Sequence, residues 1–155
     1  MASTLDDAAL AFLVKNHSAA MTTLRPDGTP HTVRIGVALV DGKIWSSGTQ
    51  TRARTKHLRR DPRSTLFVFD SGFRFLTLEC RVNILDAADS PRQNLRLFEV
   101  MQRDLSPAPA AGKVLWYGAE RTVDEFVQLM KDEQRLIYEF EIVRAYGLYG
   151  EAPSR

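Results

Sequence analysis

The chain has 155 residues, of which 44% are hydrophobic and 26% are charged, and this balance predicts one globular domain over residues 1–155 rather than a disordered chain. Its formal net charge is +2, and its single cysteine, Cys80, excludes an internal disulfide and predicts a reducing, cytoplasmic location. No apolar run approaches the ~20 residues of a membrane helix. The first ten residues lack the pattern of a signal peptide, so we expect no membrane partner.

The first predicted element is a short helix that ends at about Lys15. Ser3 or Thr4 is expected to cap it, and Asp6 and Asp7 in its first turn suit the positive end of the helix dipole. Its apolar residues recur at helical spacing and form one stripe: Leu5, Ala9, Phe12 and Leu13.

Six β-strands are predicted after this helix, over residues 19–25, 31–40, 43–48, 64–70, 74–85 and 135–147. Asp27-Gly28 and Asp41-Gly42 are turn signals that join the first three strands as hairpins. Alternation in the fifth strand places four residues on one face: Leu76, Leu78, Cys80 and Val82. Strands in hairpin order with few helices predict a mainly β (α+β) fold, a small six-stranded antiparallel barrel with helices at its rim.

The second predicted strand has two unlike faces. One face is apolar and holds Val33, Ile35, Val37 and Leu39. The opposite face is small and partly polar and holds Thr32, Arg34, Gly36, Ala38 and Val40. Such a face suits a groove for a flat ring, and it suits the solvent side of a half-exposed sheet equally well.

Two further helices are predicted between the fifth and last strands. Ser90-Pro91 is a cap followed by a first-turn proline, and Thr122 with Glu125 matches a capping box. Loops such as residues 104–121 are expected to build the far wall of the pocket, which sets the substrate.

Several kinds of chemistry lack their sequence patterns. His17, His31, His57 and Cys80 share no metal-ligand spacing, so no metal site is predicted. Cys80 lies on an apolar strand face, which is typical of a buried, inert thiol. The glycine patterns of dinucleotide folds and phosphate-binding loops are missing, as is the nucleophile elbow.

The basic segment, residues 51–63 with the sequence TRARTKHLRRDPR, concentrates the positive charge. It holds six Lys or Arg and one Asp, and the other residues hold 15 bases and 18 acids. Three interpretations are open: a solvated helix, a nucleic-acid contact, and a phosphate site at the start of a helix. A mildly acidic protein with one short basic segment favours a local anion over a long polyanion, so we expect no nucleic-acid partner. Arg52 and Arg54 would supply the charge and can bind phosphate oxygens bidentately.

The order of these segments resembles the flavin/deazaflavin oxidoreductases of the FMN-binding split β-barrel type, relatives of pyridoxamine 5'-phosphate oxidase. The similarity rests on AMTTLRPDGTPHTVRIGV, DGKIWSSGTQTRARTKHLRRDPRSTLFVF, LECRVNIL and YEFEIVRAYGLYG, and it extends over about residues 5–150. The strand–basic segment–strand block is its most specific part. The pattern is most similar to the branch that uses coenzyme F420, and next to the FMN binders.

The resemblance implies a homodimer with two cofactor sites at the subunit interface, and it implies which residues bind the cofactor. They are Val33 and Arg34 at the ring, Ser47, Gly48 and Thr49 in a loop beside the ring and ribityl chain, Arg52 and Arg54 at the phosphate, Lys56 and His57 near the phosphate or tail, and Phe73 and Phe75 beside the partner's cofactor. The family often has Lys at position 54 and Asn at position 57. Arg59, Arg60 and Arg63 are expected either to bind an anionic tail or to be solvated surface.

The expected activity is that of an F420-dependent reductase, which transfers hydride from the reduced deazaflavin to an electron-poor C=C or C=N of a small molecule. An FMN-dependent oxidoreductase and a cofactor-binding protein without turnover are the alternatives. The cofactor would carry the chemistry, so the sequence assigns no catalytic residue.

Overall fold

A computed structural model gives the positions of residues 4–150, and its main feature is a seven-stranded antiparallel sheet. The strands of this sheet are β1 (Ser18–Leu24), β2 (Pro30–Gly36), β3 (Ala38–Val40), β4 (Lys43–Thr49), β5 (Arg63–Phe69), β6 (Phe75–Leu85) and β9 (Arg135–Leu148). They pair in the order β2-β1-β5-β6-β9-β4-β3. A separate hairpin consists of β7 (Lys113–Trp116) and β8 (Ala119–Thr122). The helices are α1 (Asp7–Lys15), α2 (Ala53–Arg60), α3 (Ser90–Gln102) and α4 (Val123–Asp132).

The predicted split β-barrel with peripheral helices is confirmed, but its sheet has seven strands rather than six. The predicted strand 31–40 divides at Val37, whose N–H donates to the carbonyl of His17 at 2.9 Å. β2 and β3 therefore lie at opposite edges of the sheet although one residue separates them in sequence. The β7–β8 hairpin was not predicted, because its strands are only four residues long.

The barrel interior is filled by alternating side chains from both ends of the chain. The predicted inward face of β6 is confirmed, since Leu76, Leu78, Cys80 and Val82 are all buried. Burial raises the pKa of the Cys80 thiol to about 12, as expected of an inert cysteine. The apolar face of residues 33–39 packs into the same core.

The opposite face of residues 32–40 is divided between two environments. Thr32, Arg34 and Gly36 are exposed, whereas Ala38 and Val40 are buried. Ala38 and Val40 pack against Leu97 of α3, so this helix covers the β3 part of the face. The β2 part is exposed, with Met101 of α3 close to Gly36, and this suits both the groove and the solvent-face interpretation.

The helix caps differ from the predictions at two of three positions. Asp6 rather than Thr4 caps α1, and its Oδ1 accepts from the N–H of Ala9 at 2.8 Å; Ser3 lies outside the described residues. Asp89 precedes α3, so Ser90 is the first helical residue, and its Oγ donates to the carbonyl of Arg135 at 3.1 Å. The predicted capping box of α4 is confirmed.

The short helix α2 covers one end of the barrel through two buried residues, Thr55 and Leu58. Leu58 packs into the barrel core. The hydroxyl of Thr55 donates to the carbonyl of Thr49 at 2.7 Å and also forms a hydrogen bond with the hydroxyl of Tyr138, which is fully buried inside the barrel. The start of α2 is thereby attached to β4 and β9.

Gly48 in β4 makes room for Tyr138, because a Cβ built on Gly48 would overlap the Tyr138 ring. We expect Gly48→Ala to lower the free energy of unfolding by about 1–3 kcal/mol, since the ring is enclosed and cannot retreat without strain. Urea denaturation measures this loss. Gly72→Ala is the matched control, because a Cβ at Gly72 meets only Asp70 Oδ1, at 3.5 Å. Equal stability of the two variants would contradict the prediction.

Candidate functional site

A groove with a volume of about 360 Å³ lies between the open part of the barrel, α3 and the β7–β8 hairpin. We call it the arginine groove. The residues that line it are Arg34, Ile35, Gly36, Ser46, Ser47, Arg54, Phe98, Met101, Trp116, Tyr117 and Arg135. Three of them are arginines, and among the described residues no Asp or Glu lines it. The groove is therefore electropositive and suited to an anion.

Arg54 is the arginine of the groove whose environment most clearly favours binding of an anion. It is half-buried, its guanidinium lies 5.6 Å from the centre of the Tyr138 ring, and its Nε has no hydrogen-bond partner within residues 4–150. Burial is the main reason that its pKa is lowered, and Arg52 and Arg135 lower it further. A buried cationic donor without a partner is costly, and an anion in the groove would satisfy it.

The other two arginines of the groove differ in their partners. Arg135 is only 8% exposed, bonds Glu133 at 2.8 Å, and lies 5.0 Å from the centre of the Trp116 ring. Arg34 is exposed on β2, with its guanidinium 5.9 Å from the Phe69 ring, and it makes no salt bridge within the described part of the chain. Arg34 donates a long 3.4 Å hydrogen bond to Ser18 Oγ and can still contact a ligand, while Arg135 also supports the hairpin.

The predicted loop of Ser47, Gly48 and Thr49 is wrong, because all three residues belong to β4 and pair with β9. The polar edge of the groove nevertheless comes from this strand. Ser47 lines the groove and its hydroxyl donates to Asn94 Oδ1 at 2.5 Å, which fixes its orientation against α3. The space beside Gly48 is filled by Tyr138 rather than open to a ligand.

The basic segment separates into two halves. Arg59 pairs with Asp86 at 2.9 Å, Arg63 pairs with Asp61 at 2.8 Å, and Arg60 donates to the carbonyl of Leu24. In the first half, Arg52 and Lys56 are exposed and form no salt bridge with any residue from 4 to 150. The second half therefore already has partners within the protein, and the first half has unpaired charge for a ligand.

The structure brings Arg34, Ser47 and Arg54 together in the groove, with Arg52 close enough to Arg54 to affect its pKa. The other predicted site residues do not line this groove. Val33 packs into the barrel core, Thr49 is half-buried, and Lys56 is exposed. Phe73 is 95% exposed in the turn between β5 and β6, and Phe75 stacks on Phe67 with ring centres 5.0 Å apart.

His57 belongs to a different cluster, on the side of α2 that faces β1 and β2. Its Nδ1 shares a 2.9 Å hydrogen bond with the hydroxyl of Thr23, and its ring meets the His31 ring edge-on with centres 5.1 Å apart. The His31 Nδ1 is buried and has no hydrogen-bond partner among the described residues.

Five residues that line the groove were not assigned to a site from the sequence: Phe98, Met101, Trp116, Tyr117 and Arg135. Residues 104–121, which were expected to build the far wall of the pocket, contribute Trp116 and Tyr117 to the lining of this groove. Arg135 gives no sequence signal, because only the pairing of β9 with β4 sets it opposite Thr49.

Within residues 4–150, no group of three or more His, Cys, Asp or Glu side chains could hold a metal ion. No helix in the same range is long and apolar enough to cross a membrane.

The fold and the site together define the class of this protein, which is an antiparallel split barrel with a cationic groove at its rim. The sequence profile of the pyridoxamine 5'-phosphate oxidase family matches residues 5–144, and the chain belongs to this family.

Similar proteins are known at the sequence and structure levels. An F420H(2)-dependent biliverdin reductase from Mycobacterium tuberculosis (strain CDC 1551 / Oshkosh) is 35% identical over 114 residues, which cover 72% of this chain and 80% of that protein. The crystal structure of a conserved hypothetical protein from Mycobacterium tuberculosis has a TM-score of 0.70 at 19% identity, covering 99% of this chain and 92% of that one. A structure named F420 reductase has a TM-score of 0.61 at 18% identity, covering 88% and 94%.

The histidine cluster predicts a pH dependence of stability. Burial first, and then His31, Arg60 and Arg25, lower the pKa of His57 below its ordinary 6.5. The folded state then binds this proton more weakly than the unfolded state, so stability is lost as the pH falls from the ordinary value through the lowered one. We expect the melting temperature of the wild type to fall more steeply than that of His57→Gln between about pH 7.5 and about pH 5. Parallel slopes would contradict this, whatever the absolute stability of the variant.

Proposed function

We propose that this protein is a reductase that uses coenzyme F420. The observation that carries the proposal is the half-buried Arg54, whose buried Nε has no hydrogen-bond partner among the described residues, in a groove lined by three arginines. The relative named as an F420H(2)-dependent biliverdin reductase supports the same cofactor, as does the structural neighbour named F420 reductase.

The charge pattern suits the chemistry of this cofactor. F420 carries a phosphodiester and an acidic glutamyl tail, so it needs several cations in succession. Arg54 in the groove, Arg52 at the start of α2 and the exposed Lys56 would hold these anionic groups. Arg34 and Ser47 would lie beside the ring. FMN has one terminal phosphate and would leave part of this charge unused, so it is the second candidate.

Six further residues remain predicted cofactor-binding residues on the basis of the resemblance alone: Val33, Gly48, Thr49, His57, Phe73 and Phe75. Their positions divide them into three groups. Val33, Gly48 and Thr49 would offer backbone groups, and His57 lies outside the groove. Phe73 is exposed in the turn between β5 and β6, and Phe75 stacks on Phe67.

The protein's own part in the reaction is positioning and electrostatics. When bound, the reduced cofactor would supply a hydride to an electron-poor C=C or C=N, and a proton would complete the reduction. The arginines would bind the anionic groups and fix the position of the ring. Among the described residues that line the groove, Tyr117 is the only neutral side chain with a titratable proton, and it is exposed to water. Solvent is therefore the proton source that we propose.

Biliverdin is the first acceptor to test. It is the substrate in the name of the relative, and it is a conjugated tetrapyrrole with carboxylates, which matches a groove that combines arginines with aromatic rings.

We further propose a homodimer with two cofactor sites at the subunit interface. The outward face of the sheet carries an apolar patch, which we define as Phe67, Phe69, Phe75, Tyr146 and Leu148. Three residues of the patch are exposed: Phe67, Tyr146 and Leu148. Exposed apolar patches of this kind usually bind a partner. Strand pairing places Arg34, Ala20 and Phe67 side by side in one row across the sheet. A second copy on the patch would therefore reach the edge of the arginine groove.

The cofactor assignment is tested by Arg54→Ala. We expect the dissociation constant for F420, measured by fluorescence quenching, to rise about 10- to 100-fold because charge-assisted hydrogen bonds are lost. Adding Arg52→Ala should raise it further. Arg63→Ala is the control, because it removes the same charge from a residue already paired with Asp61.

Three outcomes count against the proposal. Unchanged affinity in the Arg52→Ala, Arg54→Ala double variant would remove the site assignment. Tight binding of FMN with no binding of F420 would establish the second candidate cofactor. Binding of F420 without oxidation of its reduced form by any acceptor would indicate a carrier protein.

The dimer is tested by Phe67→Glu, which places a charge in the apolar patch. We expect sedimentation velocity to show a dimer for the wild type and a monomer for Phe67→Glu, because a buried unpaired carboxylate opposes association. Val14→Glu on α1 is the control, since Val14 is 55% exposed and Phe67 is 41% exposed. A monomeric wild type would contradict the proposed dimer.

A further inference from the structure

The turn of the β7–β8 hairpin contains a residue that is poorly suited to it. Trp116 pairs with Ala119, so the turn has two central residues, Tyr117 and Gly118, with φ angles of 49° and 78°. Two positive φ values in a two-residue turn define the I′ type, which favours Asn, Asp or Gly at its first central position. A large aromatic residue in this conformation is strained, and such strain often marks a functional residue.

The side chain of Tyr117 contributes little to the fold. It is 84% exposed, and its ring forms a T-shaped pair with the Trp116 ring, with centres 4.8 Å apart and planes at 82°. Yet Tyr117 lines the arginine groove. A strained backbone and an exposed aromatic ring are both unfavourable in the free protein, and a ligand that covers the ring would offset the second of these costs.

Trp116, the neighbour of Tyr117, is held firmly in place. Its ring lies 5.4 Å from that of Phe98 and 5.8 Å from that of Phe126, and the guanidinium of Arg135 lies 5.0 Å from its centre. The exposed Tyr117 ring is therefore presented by a rigid base. A preorganised aromatic surface of this kind binds a flat ligand at low entropic cost.

The arginine groove thus has two unlike walls. The barrel wall has Arg34, Arg54 and Ser47, which are groups for an anionic, hydrogen-bonding ligand. The opposite wall has aromatic and thioether side chains: Phe98, Met101, Trp116 and Tyr117. Conjugated rings stack on such a wall, and the absence of Asp and Glu from the described lining disfavours a cationic ligand.

We propose that the Trp116–Tyr117 turn is the binding wall for the acceptor, and that the acceptor is a flat, conjugated molecule without positive charge that stacks on Tyr117. This inference rests on the proposed function in one respect, namely that the molecule bound there is reduced. It adds the wall of the groove on which the acceptor binds and the residue that recognises it.

The test uses Tyr117→Asn and Tyr117→Phe in the full chain, with biliverdin as the probe. Asn tolerates positive φ, so Tyr117→Asn should melt at the same or a higher temperature than the wild type. Loss of the stacking ring should raise the dissociation constant for biliverdin, followed by visible absorbance, by roughly 10-fold or more. Tyr117→Phe should bind biliverdin within about twofold of the wild type. A residue needed only for the fold would not lose binding while stability is kept.

The same variants separate the acceptor from the cofactor. The F420 dissociation constant, measured by fluorescence quenching, should change by less than about twofold in Tyr117→Asn. An equal loss of F420 affinity would place Tyr117 on the cofactor and overturn the inference, as would unchanged biliverdin affinity. It would also be overturned if the wild type bound no biliverdin, or if it bound the flat cation ethidium equally well. If the protein bound biliverdin in a Tyr117-dependent way but did not bind F420, the inference about the Trp116–Tyr117 turn would stand. The proposed function would then be overturned instead.

Discussion

The contact between Tyr138 and Gly48 inside the barrel is the constraint on which the site depends. The Tyr138 ring fills the space that any side chain at position 48 would occupy, and its hydroxyl bonds Thr55 in the first turn of α2. Its face supports the guanidinium of Arg54. Tyr138 of β9 thus contacts three parts of the site: strand β4, which precedes the basic segment, helix α2 within that segment, and Arg54 on this helix. The electropositive groove follows from packing in the core, rather than from surface charge alone.

The basic segment shows how a run of like charges can serve two purposes. Its second half is tied to the protein by Asp61, Asp86 and the carbonyl of Leu24, so these arginines stabilise the ends of α2 and its neighbours. Exposed pairs of this kind contribute little energy individually, but they neutralise charge near the helix. Its first half forms no salt bridge with the residues that the structure describes, and Arg54 of this half lines the groove. The local excess of positive charge is therefore smaller than the sequence count indicates, and it is concentrated at Arg52, Arg54 and Lys56.

The sequence predicted the parts that depend on local pattern and missed those that depend on pairing. Alternation identified the inward face of β6, and the capping box identified the start of α4, because both signals lie within a few residues. The division of residues 31–40 at Val37 was missed, since β2 and β3 have no turn signal between them. Of the residues that line the groove, Arg34, Ser47 and Arg54 were named from the sequence through charge and resemblance. Arg135 and Trp116 were not, because they reach the groove only through the position of β9 and the β7–β8 hairpin.

The position of β9 in the sheet has a consequence for the order of folding. β9 lies between β6 and β4, and it is the last strand of the described chain to be synthesised. Until it emerges from the ribosome, β6 and β4 each present an unpaired edge, and the sheet cannot close. Tyr138 and Arg135 arrive with this strand, so the ligand groove and the closed barrel form in the same late step. A nascent chain without β9 therefore lacks part of this groove, and a molecule that binds in the groove would stabilise only the completed fold.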